Sequence, residues 1–266
     1  MKDKPAYLIF DTESIPDGRL LATVKYPKDK LSSEEAIARA QQEALDATEG
    51  KSNFLPVTFQ IPVAIAVGKV DKSFRLTEIV NLDAPKYEPR KMVADFWAGV
   101  ETYASVLVTF NGRQFDLPLL ELAAFRYGIP AVNHFTKRYG TRDRYGKMHL
   151  DLMEWFSNYG AIWRFTGGLN LVSKLLGKPG KMETTGQMVY DMYKAGELQE
   201  INQYCMFDVL DTYFVFLRTR VLEGALELAE EQRIVAQTRD WLEQRAQSAP
   251  HLKLYLENWG EWSPWP

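Results

Sequence analysis

The sequence holds one cysteine, Cys205, and only three histidines in 266 residues. An internal disulfide is excluded, Cys205 cannot anchor a zinc site by itself, and this cysteine usage fits a reducing compartment. A surplus of basic charge is also missing, because 32 Lys and Arg stand against 35 Asp and Glu, a formal net charge of -3. No whole-protein positive field draws in a polyanion, so a nucleic-acid partner has to be held locally or through metal ions. No run of eighteen apolar residues occurs, and the opening Met-Lys-Asp-Lys-Pro passes into residues 6–10 without the long apolar stretch of a secretory signal. The expectation is a cytoplasmic protein with no membrane partner. What is present, 46% hydrophobic and 13% aromatic residues, suffices for the core of one α/β domain.

Residues 6–10 form a short apolar, β-prone run broken by Asp11-Thr12-Glu13, which predicts a buried strand ending on acids. Residues 17–53 change character, and the Ser32-Ser33-Glu34-Glu35 signature opens a solvated helix to about residue 48 inside an insertion. Residues 59–70 and 74–82 read as the paired strands of a hairpin, giving a three-stranded antiparallel start. Apolar residues from Met92 to Val100 recur at helical spacing before a short strand over 106–110. Asp116-Leu117-Pro118 opens a helix that Gly128 stops, and further helices are expected over 149–158, 169–176 and from Gly186 to about residue 246. With no repeat or linker, residues 1–266 read as a single domain, with the 17–53 insertion and a helical, Trp-rich extension over about 214–266.

Three clusters carry chemistry. Asp11 and Glu13, two apart on an extended segment, share a sheet face, where two carboxylates repel unless a cation lies between them. Taken alone, such a triplet is usually a pair of solvated acids. Asn111-Gly112-Arg113-Gln114-Phe115-Asp116 sits between a strand and a helix, and alone it reads as a tight turn with Asp116 near the cap. Tyr204 and Asp208, four apart in a helical pattern, lie on one helix face; the bland reading is a half-buried Tyr beside a surface Asp.

Together and in this order, Asp11-x-Glu13, Asn111-x-x-x-Phe115-Asp116 and Tyr204-x-x-x-Asp208 resemble the three motifs of the DEDD family of 3′-5′ exonucleases. Tyr204 places the resemblance in the tyrosine subclass. The chain is most similar to the stand-alone exonucleases related to the proofreading domain of B-family DNA polymerases. That resemblance implies a ribonuclease H-like fold, a central mixed sheet with its first three strands antiparallel and flanked by helices. It further implies two divalent cations, Mg2+ or Mn2+, which suits four hard carboxylates. By similarity, Asp11, Glu13, Asp116 and Asp208 hold the metals, and Tyr204 orients the attacking water. Thr12, Asn111 and Phe115 lie near the 3′-terminal nucleotide. The implied reaction is hydrolysis of phosphodiester bonds at a DNA 3′ end, single-stranded or frayed, releasing nucleoside 5′-monophosphates. The chain length leaves no room for polymerase elements beside this domain, so proofreading in cis is not expected, and a repair, mobile-element or trans-acting role stays open. RNA as substrate stays open, as does a nucleic-acid-binding or scaffold module that keeps the fold without turnover.

Residues 137–147 carry Arg138, Arg142 and Arg144 with Tyr139 and Tyr145 interleaved, a pattern suited to single-stranded nucleic acid and equally to a solvated loop. Lys174, Lys178 and Lys181 either track a phosphate backbone or complement a helix end. Asp151 reads as a structural support, His149 as a packing histidine, Cys205 as a packing residue and Asp211 as a helix-surface acid. Trp259, Trp262 and Trp265 are expected to dock on the domain, with a protein partner for the tail as the second reading.

Overall fold

Side chains alternate across a strand, so an apolar run buried on both sides belongs in the middle of a sheet. The computed structural model, which describes residues 4–163, 165–182 and 188–264, places β1 (Tyr7–Pro16) there. The sheet order is β3-β2-β1-β4-β5. Strand β2 (Gln60–Val70) is antiparallel to β1, and β3 (Leu76–Asn81) is antiparallel to β2. Strands β4 (Val106–Thr109) and β5 (His149–Asp151) run parallel to β1 and β4 respectively. This is the α/β, ribonuclease H-like arrangement that the resemblance implied.

The helices are α1 (Gly18–Leu20), α2 (Ser33–Ala47), α3 (Pro89–Tyr103), α4 (Asp116–Tyr127), α5 (Val132–Thr136) and α6 (Leu152–Phe156). They are followed by α7 (Gly168–Leu175), α8 (Val189–Ala195), α9 (Leu198–Leu222), α10 (Leu228–Arg245) and α11 (His251–Glu257). From β1, Leu8 and Phe10 pack with Phe96, Trp97, Leu117 and Leu120 of α3 and α4. Ile9 points the other way, into Val209, Leu210 and Tyr213 of α9. A smaller core of Leu21, Tyr26, Ala36, Ile37 and Leu55 holds the 17–53 segment together, and an Arg126–Asp17 ion pair ties it to α4. Helix α2 carries the capping box that its sequence predicts, with Ser32 Oγ accepting from the Glu35 N–H and Glu35 Oε2 accepting from the Ser32 N–H. Among the described residues, no helix is long and apolar enough to cross a membrane.

Two expectations are corrected. Strand β1 does not end at the acids: Asp11 pairs with Ala66 and Glu13 with Ala64 of β2, and this ladder carries the strand through to Pro16 past a bulge between Glu13 and Ser14. Residues 149–151 are not the first turn of a helix. The free edge of β4 captures them as β5, pairing Leu107 with His149 and Thr109 with Asp151. Helix α11 lies within the 214–266 extension, past the residue near 246 where the helical pattern was expected to end, and Gly186 lies outside the described residues.

Candidate active site

The alternation along β1 decides which helix each site residue meets. Asp11 and Glu13 follow Ile9 toward α9, whereas Thr12 follows Phe10 toward α4. On the α9 side, one carboxylate oxygen each of Asp11, Glu13 and Asp208 lie within 4.8 Å of one another. Tyr204 stands one turn before Asp208 and lines the same cavity, of about 310 Å³. On the α4 side, Asp116 is the first helical residue, and Thr12 Oγ1 donates to its Oδ1 at 2.6 Å. Thr12, Asn111, Phe115 and Asp116 all line this cavity, so the three sequence clusters are brought to one place.

The turn from Asn111 to Asp116 is tightly built. Asn111 is left-handed, with φ of 69°, and a Cβ on Gly112 would lie 2.5 Å from the Thr109 Cβ, so the backbone passes too close for any other residue. Asp151 holds the turn from below: its carboxylate accepts the N–H groups of Asn111 at 3.0 Å and Arg113 at 2.8 Å while capping α6 through the Met153 N–H at 3.0 Å. That is the structural role expected of Asp151. His149, as expected, packs, with Nε2 beside Thr109 Oγ1 at 2.8 Å, and burial pushes its ring down to about 3, so it stays neutral.

The electrostatics of the cavity are those of crowded acids. Burial, then the charges of Asp116, Asp208 and Glu13, hold Asp11 well above the usual carboxylate range, and Glu13 is raised by burial and by Asp208. Burial pushes Asp116 up to about 7, opposed by the Thr12 hydrogen bond. Asp208 also rises to about 7 through burial and Asp211, opposed by Lys181 and by the Tyr204 hydroxyl. Burial and three neighbouring carboxylates push the Tyr204 hydroxyl far above its ordinary value, so it remains a proton donor. The buried Cys205 thiol, also pushed up, donates to the Asp11 carbonyl oxygen at 3.2 Å, as a packing residue would.

Phe54, Phe110 and Lys181, with Ser14, complete the lining. The first two were not read as site residues. Phe110 directly precedes Asn111, a neighbourhood that was legible. Phe54 is 43% exposed at the end of the 17–53 segment, its ring 5.6 Å from that of Phe115, a contact that no local pattern announces.

Other residues stand elsewhere. Arg138 lies over the Tyr139 ring, Arg142 pairs with Glu121 at 3.0 Å and Arg144 with Glu154 at 3.3 Å, and none lines the acid cavity. Asp211 is not a surface acid: it is 1% exposed and accepts from the Tyr255 hydroxyl at 2.7 Å, because α11 covers it. Lys178 is not a solvated helix-end lysine. Its ammonium lies 4.1 Å from the Trp259 ring centroid, and burial lowers it to about 8. Trp259 docks edge-on against Phe214, and Arg218 covers Trp262, as expected for the tail; Trp265 lies outside the described residues.

Among the described residues, the cavity presents only oxygen ligands to a cation, crowded beyond what Lys181 offsets, and a hard divalent ion fits such a donor set. Among solved structures, the family B DNA polymerase from the hyperthermophilic archaeon Pyrobaculum calidifontis is 16% identical with a TM-score of 0.48, over 81% of this chain and 24% of that one. A structure of exonuclease I is 12% identical with a TM-score of 0.38, over 90% of this chain and 43% of that one. The chain thus spans less than half the length of either. No curated protein matches it. Residues 52–259, more than half of the chain, match the family described as predicted 3′-5′ exonucleases related to the exonuclease domain of PolB, a stretch that begins after Asp11 and Glu13 and contains Asp116, Tyr204 and Asp208. By that match the chain belongs to this family of predicted 3′-5′ exonucleases.

Proposed function

We propose that the chain hydrolyses phosphodiester bonds from the 3′ end of single-stranded DNA, releasing nucleoside 5′-monophosphates. The observation that carries this reading is the convergence of Asp11, Glu13, Asp116 and Asp208, from three elements distant in sequence, on one cavity shared with Tyr204. Asp11, Glu13, Asp208 and Asp116 would hold two divalent cations, Mg2+ or Mn2+. Such ions, when bound, supply positive charge to the attacking and departing oxygens.

The chain's own residues do the rest. Tyr204, held protonated, orients the attacking water by a hydrogen bond and does not remove its proton. Thr12 fixes the rotamer of Asp116. Phe54, Phe110 and Phe115 offer ring surface to the terminal base, and Lys181 offers a cation to its phosphate.

The test is cleavage of 5′-labelled single-stranded DNA with Mg2+ or Mn2+, with an RNA of the same sequence in parallel. A ladder shortened from the 3′ end, lost in Asp11→Ala and in Asp208→Ala, is expected. Equal cleavage by the variants refutes the assignment. Tight DNA binding indifferent to Mg2+, without cleavage, would favour the binding-module reading, and preferential loss of the RNA the exoribonuclease reading.

A further inference from the structure

We infer that a second surface, the cleft along the β5 edge of the sheet, binds the single strand upstream of the 3′ end. The inference rests on the nuclease reading of the acid cavity. The cleft has a volume of about 910 Å³, against about 310 Å³ for that cavity. The segment entering β5 supplies Arg144, Tyr145 and Lys147, and α6 with the turn after it supplies Trp155 and Tyr159.

Tyr145 is 91% exposed and Tyr159 64% exposed, so neither ring is spent on the core. Rings held out to solvent among cations suit a strand whose bases stack and whose phosphates pair, whatever its sequence. The charge balance of the cleft favours a polyanion. Arg113 at 2.9 Å and Arg144 at 3.3 Å share one carboxylate, Glu154. Glu223 is taken up by Arg220 at 2.8 Å and by the Trp155 indole N–H at 3.0 Å. Asp151 is occupied by backbone N–H donors. Lys147 is exposed and, among the described residues, forms no ion pair, and with Arg113, Arg144 and Arg220 set against Asp151, Glu154 and Glu223 the lining keeps one net positive charge.

The cleft also neighbours the acid cavity through the turn after β4, where Asn111 lines the cavity and Arg113, two residues on, lines the cleft. Asp151 anchors both ends of the intervening turn, accepting the N–H of cavity-lining Asn111 and of cleft-lining Arg113.

The test titrates a fluorescein-labelled oligothymidylate of about twelve nucleotides by anisotropy in EDTA, where metal at the acid cavity contributes nothing. Wild type is compared with Tyr145→Ala, Lys147→Ala and, as a matched loss of charge, Lys72→Ala in the exposed β2–β3 turn. Circular dichroism verifies that each is folded. Tyr145→Ala is expected to weaken binding about fivefold or more. Lys147→Ala is expected to reduce the slope of log affinity against log salt by about 0.7, with Lys72→Ala tracking wild type. Equal affinity and slope across all four proteins overturns the inference. With Mg2+, wild type should favour the long oligonucleotide over a trinucleotide in KM, and the two cleft variants should lose that preference. A loss equal for both lengths also overturns it, because the defect would then lie in the acid cavity. Absence of cleavage by wild type removes the nuclease reading alone, since the EDTA titration reads the cleft directly.

Discussion

The Thr12 hydroxyl donates a 2.6 Å hydrogen bond to Asp116 Oδ1, joining residues 104 positions apart and linking the central strand to the start of α4. That bond is the direct contact between the first and second sequence clusters, and it opposes the rise of the Asp116 pKa. Thr12→Val keeps the shape and removes the donor. A hydrogen bond to a charged group is worth about 1.5–3 kcal/mol, so the exonuclease rate at neutral pH should fall about tenfold or more. Thr12→Ser should retain most of it. Initial rates on labelled single-stranded DNA make the comparison, and a Thr12→Val rate equal to wild type would show that Asp116 needs no such support.

Four acids held above their ordinary values tie stability to pH and to metal. Asp116 and Asp208 titrate near 7 when folded and near 3.9 when unfolded. Between those values the folded state binds more protons, so stability falls as pH rises. His149, held neutral down to about 3, acts in the opposite sense, but only below about 6.5. In EDTA, the melting temperature should therefore drop from about pH 6.5 to about pH 7.5. Mg2+ or Mn2+ should restore it, and Asp208→Asn should flatten the drop while abolishing cleavage. Calorimetry in EDTA reads this, and a melting temperature that climbs over the same interval contradicts it.

Asp151 satisfies backbone donors in two places at once, the Asn111–Arg113 turn and the first turn of α6. Asp151→Ala leaves those N–H groups without a partner inside the protein. Losing a helix cap costs about 1 kcal/mol and each orphaned buried donor about 1–3 kcal/mol. Urea unfolding should show a loss of about 2 kcal/mol or more, and an unchanged midpoint would mean that water replaces the carboxylate.

Phe54 is 43% exposed, so Phe54→Ala should leave the melting temperature nearly unchanged. Its ring faces Phe115 across the cavity wall, and stacking on a base is worth about 1–3 kcal/mol. The expected outcome is a KM raised about fivefold or more with a smaller change in kcat. If steady-state kinetics show neither parameter moving, the 17–53 segment delivers nothing to the substrate.

Much was determined by the sequence alone, wherever a period or a cap acts locally. Alternation in β1 puts Asp11 and Glu13 on one face, four-residue spacing puts Tyr204 above Asp208, and Ser32 with Glu35 caps α2, because each depends only on backbone geometry within a turn or two. The tertiary structure decided the rest, wherever a residue's fate is set by a distant partner. Residues 149–151 are extended where β4 offers them an edge, and Asp211 is buried where Tyr255 of α11 closes over it. Arg142 and Arg144 pair with Glu121 and Glu154 and do not line the acid cavity. A carboxylate that arrives from elsewhere in the chain gives a long basic side chain its partner without leaving any local pattern to read.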